Sequence, residues 1–343
     1  ALMNPYADSF VFEVSEPHVI DEGMLFDRCE VCVVTNLGSG DHLGKKYVDE
    51  LVTIAKAVRA PVDIVLPTGY AVLNADEPAV LEMAKHTKGK VLLYSRESHS
   101  APVREHLQAD GRAVVRDGDR ILSCRGTQRE LILELAGLRC PVLGLPAFLV
   151  DDLLAAVAGA VALGLGPEPI VAGLAASIDQ GGIAVFDLPP SAARPSGGLL
   201  ILTPSRNASA LQAWSAHFRE AFPGRKVGVV LDPSADWRVS DAAGLPELLA
   251  QCFSEVTIAL NADAGSFVES LQMAHPGLNA RPVGQSTDFV ASLNQLLEGH
   301  GNADLLCVCP SNAAGFLAAL HLLETNGVAR RSVAGLASVR HCR

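Results

Sequence analysis

Asp41 and His42 stand side by side near the end of the run Val33-Val34-Thr35-Asn36-Leu37-Gly38-Ser39-Gly40-Asp41-His42-Leu43-Gly44. A neutral imidazole and a carboxylate at one turn can hold a hard divalent ion that bridges phosphate oxygens. The pair also serves a plainer end, with Asp41 capping the next helix and His42 as a surface residue. The polar prefix Thr35-Asn36 adds to the metal reading. Further on, Tyr70-Ala71-Val72-Leu73-Asn74-Ala75-Asp76-Glu77-Pro78 brings Asn74 and Asp76 to a second strand end. A carboxamide offers both donor and acceptor to an adenine edge. The same residues also make a good turn and helix cap. Two strand ends that deliver Asn, Asp and His to one edge of a sheet describe a metal–nucleotide site. Asn36, Asn74 and Asp76 are then its nucleotide side and His42 its metal side.

One motif nearby is a decoy. From Gly38 to Lys45 the chain has glycine, then five residues before Gly44, then Lys45, followed by Lys46. A phosphate-cradling P-loop needs four residues before Gly-Lys and a Ser or Thr after it. Spacing and last residue both miss, and no other stretch of the sequence fits. A G-x-S-x-G elbow is likewise absent, which disfavours an α/β-hydrolase. No G-x-G-x-x-G follows a strand-like run, which disfavours a standard dinucleotide site.

The elements that must position these residues alternate along the chain. Strands are expected at residues 9–14, 31–35, 62–66, 71–73 and 90–94, with helices at 43–58 and 79–87. Such alternation predicts a mostly parallel α/β sheet. Gly118-Asp119 between residues 113–116 and 120–123 is a hairpin signal, and 130–135 reads as one more strand. Residues 147–164 and 168–176 are Ala/Leu-rich helices. The segment 181–198 is rich in Gly, Pro, Ser and Ala and reads as a linker. A second alternating block follows. Its expected strands are 199–202, 226–231, 256–260 and 305–309. Its expected helices are 208–221, 245–253, 266–274, 289–298 and 313–326. The fold class is therefore α/β, with a Rossmann-like second domain.

Bulk properties narrow the function. A chain of 343 residues with 49% hydrophobic residues can bury more than one core. A net charge of -11 argues against nucleic acid as a partner, because phosphate binding needs basic patches. The eight cysteines fall in apolar surroundings, and Cys29-x-x-Cys32 has no second pair at zinc spacing. Buried thiols in a reducing cytoplasm are the expectation. The longest apolar run, 153–165, is too short to span a bilayer, and no signal-peptide pattern opens the chain. Its start at Ala1, with a strand expected almost at once, reads as a fragment beginning inside a domain.

The runs quoted above, Gly40-Asp41-His42-Leu43-Gly44 and Pro67-Thr68-Gly69-Tyr70-Ala71-Val72-Leu73-Asn74-Ala75-Asp76, resemble the central domain of the Mur ligase superfamily. They are most similar to its cyanophycin synthetase branch. The resemblance implies a partial central ATP-binding domain over residues 1–180 without its P-loop, the linker 181–198, and a C-terminal Rossmann-like domain over 199–343. It implies ATP and Mg2+ as cofactors, with the histidine of the motif beside the magnesium ions. Glu13, at the end of Phe10-Val11-Phe12-Glu13-Val14, matches a metal-binding glutamate, although the Arg-Gly-Gly that should follow is missing. A lysine of the next helix is also expected near the second metal. Here the segment is Ala55-Lys56-Ala57-Val58-Arg59, so Lys56 is the surviving candidate beside a lost Val58.

Other positions depart further. Phe148-Leu149-Val150-Asp151-Asp152 stands where the superfamily has two asparagines. Thr203-Pro204-Ser205-Arg206-Asn207 keeps only Asn207 of Asp-Tyr-Gly/Ala-His-Asn-Pro. Asp236-Trp237-Arg238 and Asp241 match a loop that assigns Arg238 and Asp241, with Asn207, to the nucleotide. The implied activity is ATP-dependent amide formation through an acyl phosphate, joining arginine to the aspartate side chains of an acidic peptide. The alternative is a non-catalytic relative serving as a nucleotide-binding or assembly module. On either reading the isolated chain is expected to be inactive, with no membrane or nucleic-acid partner and with oligomerisation left open.

Overall fold

The computed structural model describes residues 6, 9–37, 51–138, 143–177, 183–190, 195–203, 208–231, 245–259, 264–283, 293, 304–310, 313–328 and 330–331. The chain forms two compact units, one of residues 1–133 and 151–167, the other of 134–150 and 168–343. No helix among the described residues is long and apolar enough to cross a membrane.

The first unit is built on a six-stranded sheet in chain order: β1 (Cys29–Val34), β2 (Val65–Asn74), β3 (Lys90–Ser95), β4 (Arg112–Asp117), β5 (Arg120–Arg125) and β6 (Gln128–Glu134). Strands β1 to β4 are mutually parallel, and β5 runs antiparallel to β4. The hairpin turns at Gly118, whose φ of 60° suits a residue without Cβ. Short helices α1 (Glu16–Glu22), α2 (Leu51–Asp63), α3 (Pro78–Leu81) and α4 (Ala101–Gln108) punctuate it. Cys32, Val34, Val62, Leu73, Val80, Leu93 and Val103 share one apolar core. Alternate residues of each strand face the same side, which is why the strands supply every second residue to that core.

Three expectations fail here. Residues 9–15 form no strand. Instead Phe10, Phe12 and Phe26 stack their rings, at 5.9 and 5.7 Å, while Val11 is 96% exposed. Phe-x-Phe keeps both rings on one side of an extended backbone, but a strand also needs a neighbour to pair with. None of the described strands pairs with this segment. Next, residues 62–63 belong to α2, where the Arg59–Asp63 pair at 3.2 Å extends the last turn and Val62 is fully buried. Finally, the two strands expected on either side of Pro67-Thr68-Gly69 are one. The register jumps from Cys29↔Val65 to Val31↔Tyr70, so the extra residues form a bulge opposite Glu30. Gly69 makes it feasible: a Cβ there would lie 2.1 Å from the Glu30 carbonyl oxygen.

The second unit carries a seven-stranded sheet. Its strands are β7 (Ala184–Leu188), β8 (Gly198–Leu202), β9 (Val227–Leu231), β10 (Glu255–Ala259), β11 (Asn279–Val283), β12 (Leu305–Cys309) and β13 (Arg330–Arg331), in spatial order β11-β10-β9-β12-β8-β7-β13. The five strands from β11 to β8 are parallel; at one edge β7 is added antiparallel to β8, and β13 antiparallel to β7. Strand β7 falls inside the segment read as a linker. Its four buried residues, Ala184, Val185, Phe186 and Leu188, were masked in the sequence by the glycines and prolines around them. Helices α7 (Ala208–Ala221), α8 (Leu245–Cys252), α9 (Ala264–Ala274) and α10 (Ala313–Thr325) separate the strands. The helix expected at 289–298 falls almost entirely outside the described residues. Helix α5 (Ala147–Ala162) crosses the boundary between the units, and α6 (Pro167–Ser177) follows it.

The bulge gives a direct test. Gly69→Ala should destabilise the chain by about 3 kcal/mol, since backbone must move to admit the methyl group. Gly173→Ala in α6, with open space around it, should instead be neutral or stabilise by up to about 1 kcal/mol. Urea midpoints of the two variants would show the opposite signs.

Candidate functional site

The carboxyl edge of the first sheet is where the chain gathers polar side chains. Parallel strands leave their last peptide groups unpaired at this edge, and side chains complete them here. Asn74, 7% exposed, donates from Nδ2 to the Thr35 carbonyl at 2.9 Å and accepts the Asp76 N–H on Oδ1 at 3.0 Å. It thereby ties the end of β1 to the turn after β2. Tyr94, buried in β3, donates its hydroxyl toward the Val34 and Thr35 carbonyls at 3.3 and 3.4 Å. Burial is the main cause that pushes this phenol well above its usual range.

Asp76 then fixes the neighbouring loop. The buried Ser95 hydroxyl donates to its Oδ1 at 2.5 Å, and the Arg96 N–H donates to its Oδ2 at 2.8 Å. Ser95 Oγ in turn accepts the Glu97 N–H at 2.9 Å. Beside this turn, Arg96 Nε lies 3.0 Å from Asp151 Oδ1 and 3.7 Å from Asp76 Oδ2. One guanidinium thus bridges the sheet edge and α5. Asp151 is pushed up to about 6, first by burial and then by Asp76, Asp152 and Glu77, with Arg96 pulling the other way.

Of the residues singled out in the sequence, Asn36, Asn74 and Asp76 lie together at this edge. Asn36 is exposed, with its Nδ2 3.5 Å from Thr35 Oγ1. Glu13 is exposed in the extended segment before α1, not at a strand end. His42 and Asp41 lie outside the described residues, as do Asn207, Arg238 and Asp241. Lys56 is exposed on α2, whereas Val58 packs against the apolar core. Sequence reasoning missed Ser95 and Arg96. Their only signal was position, directly after the strand expected at 90–94. It saw in residues 148–152 only two lost asparagines, at Leu149 and Asp152, and not Asp151 as the partner of Arg96.

The donor set bears on the cofactors. No group of three or more His, Cys, Asp or Glu side chains that could hold a metal converges among the described residues. Both oxygens of Asp76 are engaged by protein N–H and O–H groups. The described residues alone therefore do not make a magnesium site. The edge suits a nucleobase better: Asn74 keeps one amide hydrogen and Asn36 stands exposed next to it.

In the second unit, Thr203 follows β8. Its Oγ1 accepts the Trp214 indole N–H at 3.2 Å in a buried bond. Trp214 stacks on Phe218 at 5.1 Å and meets Phe148 edge-on at 5.0 Å. His217 Nε2 lies 2.7 Å from the Leu143 carbonyl. Residues 143 and 148 are thereby bound into the core of this unit.

A parallel sheet that gathers asparagine and aspartate at the carboxyl ends of adjacent strands is matched in family terms. Residues 1–158 match the family model described as the Mur ligase middle domain. The chain as a whole has the fold of a Mur-ligase middle domain followed by a second α/β domain. A murein peptide ligase from Psychrobacter arcticus superposes with a TM-score of 0.55 at 13% identity, covering 88% of this chain and 58% of that one. The UDP-N-acetylmuramate–alanine ligase of Thermotoga maritima gives 0.51 at 15%, covering 87% and 60%.

Relatives in sequence include cyanophycin synthetases. That of Synechocystis is 27% identical over 327 residues, 91% of this chain and 36% of the relative. That of Nostoc is 29% identical over 262 residues, 75% and 28%. The chain therefore spans about a third of the length of the curated relatives it matches.

Two outcomes test this geometry. Thr203→Val leaves the buried Trp214 N–H without its acceptor and should cost about 1–3 kcal/mol, read from the thermal midpoint. Asp151 has a folded-state value raised above its ordinary one, so its contribution favours the fold at low pH and is lost as pH rises through about 6. Asp151→Asn, which mimics the protonated acid, should therefore gain on the natural chain between pH 4 and 7. Parallel stability profiles of the two chains would contradict this.

Proposed function

We propose that this chain is part of an ATP-dependent amide ligase resembling cyanophycin synthetase. It joins arginine, through an isopeptide bond, to the aspartate side chains of an acidic peptide. The observation that carries the reading is the ordered polar edge at β1–β3, with Asn36, Asn74 and Asp76 together, inside a Mur ligase middle domain. ATP with Mg2+ would supply the phosphoryl group: a carboxylate oxygen attacks the γ-phosphorus, ADP leaves and an acyl phosphate forms. The amine nitrogen would then attack the acyl carbon, phosphate leaving with the bonding pair and the amine's proton passing to solvent, to give the amide.

In this reading Asn36 and Asn74 address the base. Asp76 acts indirectly, by locking Ser95 and Arg96. Asn207, Arg238 and Asp241 contribute from the second domain, and Glu13 and His42 serve the metal. Residues 1–180 and 199–343 would be the two working domains, with β7 from the segment between them added to the sheet of the second. The cytoplasm, where ATP and free amino acids are available, is the proposed location.

The second reading, a non-catalytic nucleotide-binding or assembly module, draws on specific changes. Val58 packs in a core where a lysine is expected, and Thr203 serves Trp214 where a carboxylate is expected.

The purified chain supplied with ATP, Mg2+, an aspartate oligomer and arginine should form no amide, yet should bind ADP in a calorimeter. Asn36→Ala, an exposed change that leaves the thermal midpoint in place, should weaken that binding by about fivefold. Magnesium-dependent amide formation by this chain alone would overturn its inactivity. Failure to bind ADP would overturn the nucleotide site.

A further inference from the structure

The loop that Asp76 orders runs on into a second feature. Past Arg96 and Glu97 it supplies Ser98 and His99 to the rim of a surface cleft of about 330 Å³. The other walls are Arg104, Leu107 and Gln108 of α4, Asp110 after it, and Gly126, Thr127 and Arg129 at the turn between β5 and β6. The cleft lies at the low end of the 300–1,000 Å³ range of small-molecule sites.

Its charge is opposite to that of the chain. Arg104, Arg129 and His99 all line it and all are exposed. Its single carboxylate, Asp110, is already paired with Arg125 at 3.1 Å. Among the described residues the Arg104 guanidinium has no hydrogen-bond or ion-pair partner. Arg129 uses one terminal nitrogen on the Gly126 and Gln128 carbonyls, at 2.9 Å each, which holds the guanidinium at the turn. Ser98, Thr127 and Gln108 add neutral donors. The first turn of α4 starts at the same rim, and Ser100 Oγ there is shielded without a partner. The positive end of a helix adds to the attraction for an anion. Leu107, 6% exposed, gives an apolar floor.

The geometry points to this cleft as a binding site for carboxylates of an extended acidic peptide. Guanidinium groups pair with carboxylates in bidentate fashion. The apolar floor suits the methylene groups of such side chains. No Phe, Tyr or Trp lines the cleft, so the broad aromatic face that holds a nucleotide base best is missing. The cationic character stands on the lining residues themselves, whereas the choice of a peptide as the carrier rests on the ligase reading above. The site lies outside the residues assigned to the nucleotide and would hold an acidic chain apart from its reacting end.

The test uses the purified chain and a fluorescent aspartate oligomer, followed by anisotropy. The Arg104→Gln/Arg129→Gln pair should raise the dissociation constant by about tenfold or more. Lys85→Gln/Lys88→Gln removes the same charge from exposed positions elsewhere and should change it by less than about twofold. Inorganic phosphate should displace the oligomer no better than chloride at equal ionic strength. Equal losses in both pairs, or no loss in the arginine pair, would overturn the proposal, as would efficient displacement by phosphate. ADP affinity, measured on the same preparations, should be unchanged by the arginine pair. A chain that binds the oligomer as described but not ADP would remove the nucleotide site and leave the cleft standing.

Discussion

The carboxylate of Asp76 and the carboxamide of Asn74 complete what a parallel sheet cannot complete for itself. Strands that run in one direction end together, and their final N–H and C=O groups have no next strand residue to meet. Asn74 supplies a donor to the end of β1 and an acceptor to the turn after β2. Asp76 supplies two acceptors to the loop after β3. With those bonds made, the loop is fixed, Arg96 is presented toward Asp151 on α5, and the chain is led to α4 and the basic cleft. Without them the edge would be three separate loops.

That arrangement changes what the acidic and amide residues mean. Read singly, Asn74 and Asp76 are candidates for touching a ligand. In place, much of their hydrogen-bonding capacity is spent inside the protein, and buried polar groups are costly to leave unmade. Those bonds fix the groups around them. The same holds in the second unit. Thr203, where the resemblance would have a carboxylate, completes a buried bond to Trp214 and so belongs to the packing of Phe148 and Phe218. Val58 repeats the pattern, apolar and packed where a lysine is expected. Residues lost to chemistry have been taken over by the core.

Much of the fold was legible because strands and helices carry different periods. The hairpin between β4 and β5 was visible from Gly118-Asp119, and β12 from an unbroken apolar run. The joining of β2 across Pro67-Thr68-Gly69 was not. A bulge looks like a turn in one dimension, and only the approach of Glu30 to within 2.1 Å of a missing Cβ shows why glycine sits there. Strand β7 was hidden because short apolar strings flanked by Gly and Pro read as linker until a neighbouring strand pairs with them. The opposite error, a strand at 9–14, has the same cause. Alternation is local, but a strand exists only when a partner supplies its hydrogen bonds.

Local pattern was enough for the α/β class and for the placing of Asn36, Asn74 and Asp76 at strand ends. Side-chain type, spacing and hydrophobic period are properties of the linear chain and need no partner to be read. The tertiary structure alone decided which of those residues face one another and what is left over for a ligand. Ser95 met Asp76 and Arg96 met Asp151 because parallel pairing sets β2 beside β3 and packs α5 across them. His99, Arg104 and Arg129 came to share one cleft for a similar reason. They are thirty residues apart at most, but only the turn between β5 and β6, folded back beside α4, brings the two guanidinium groups and the imidazole to one cleft.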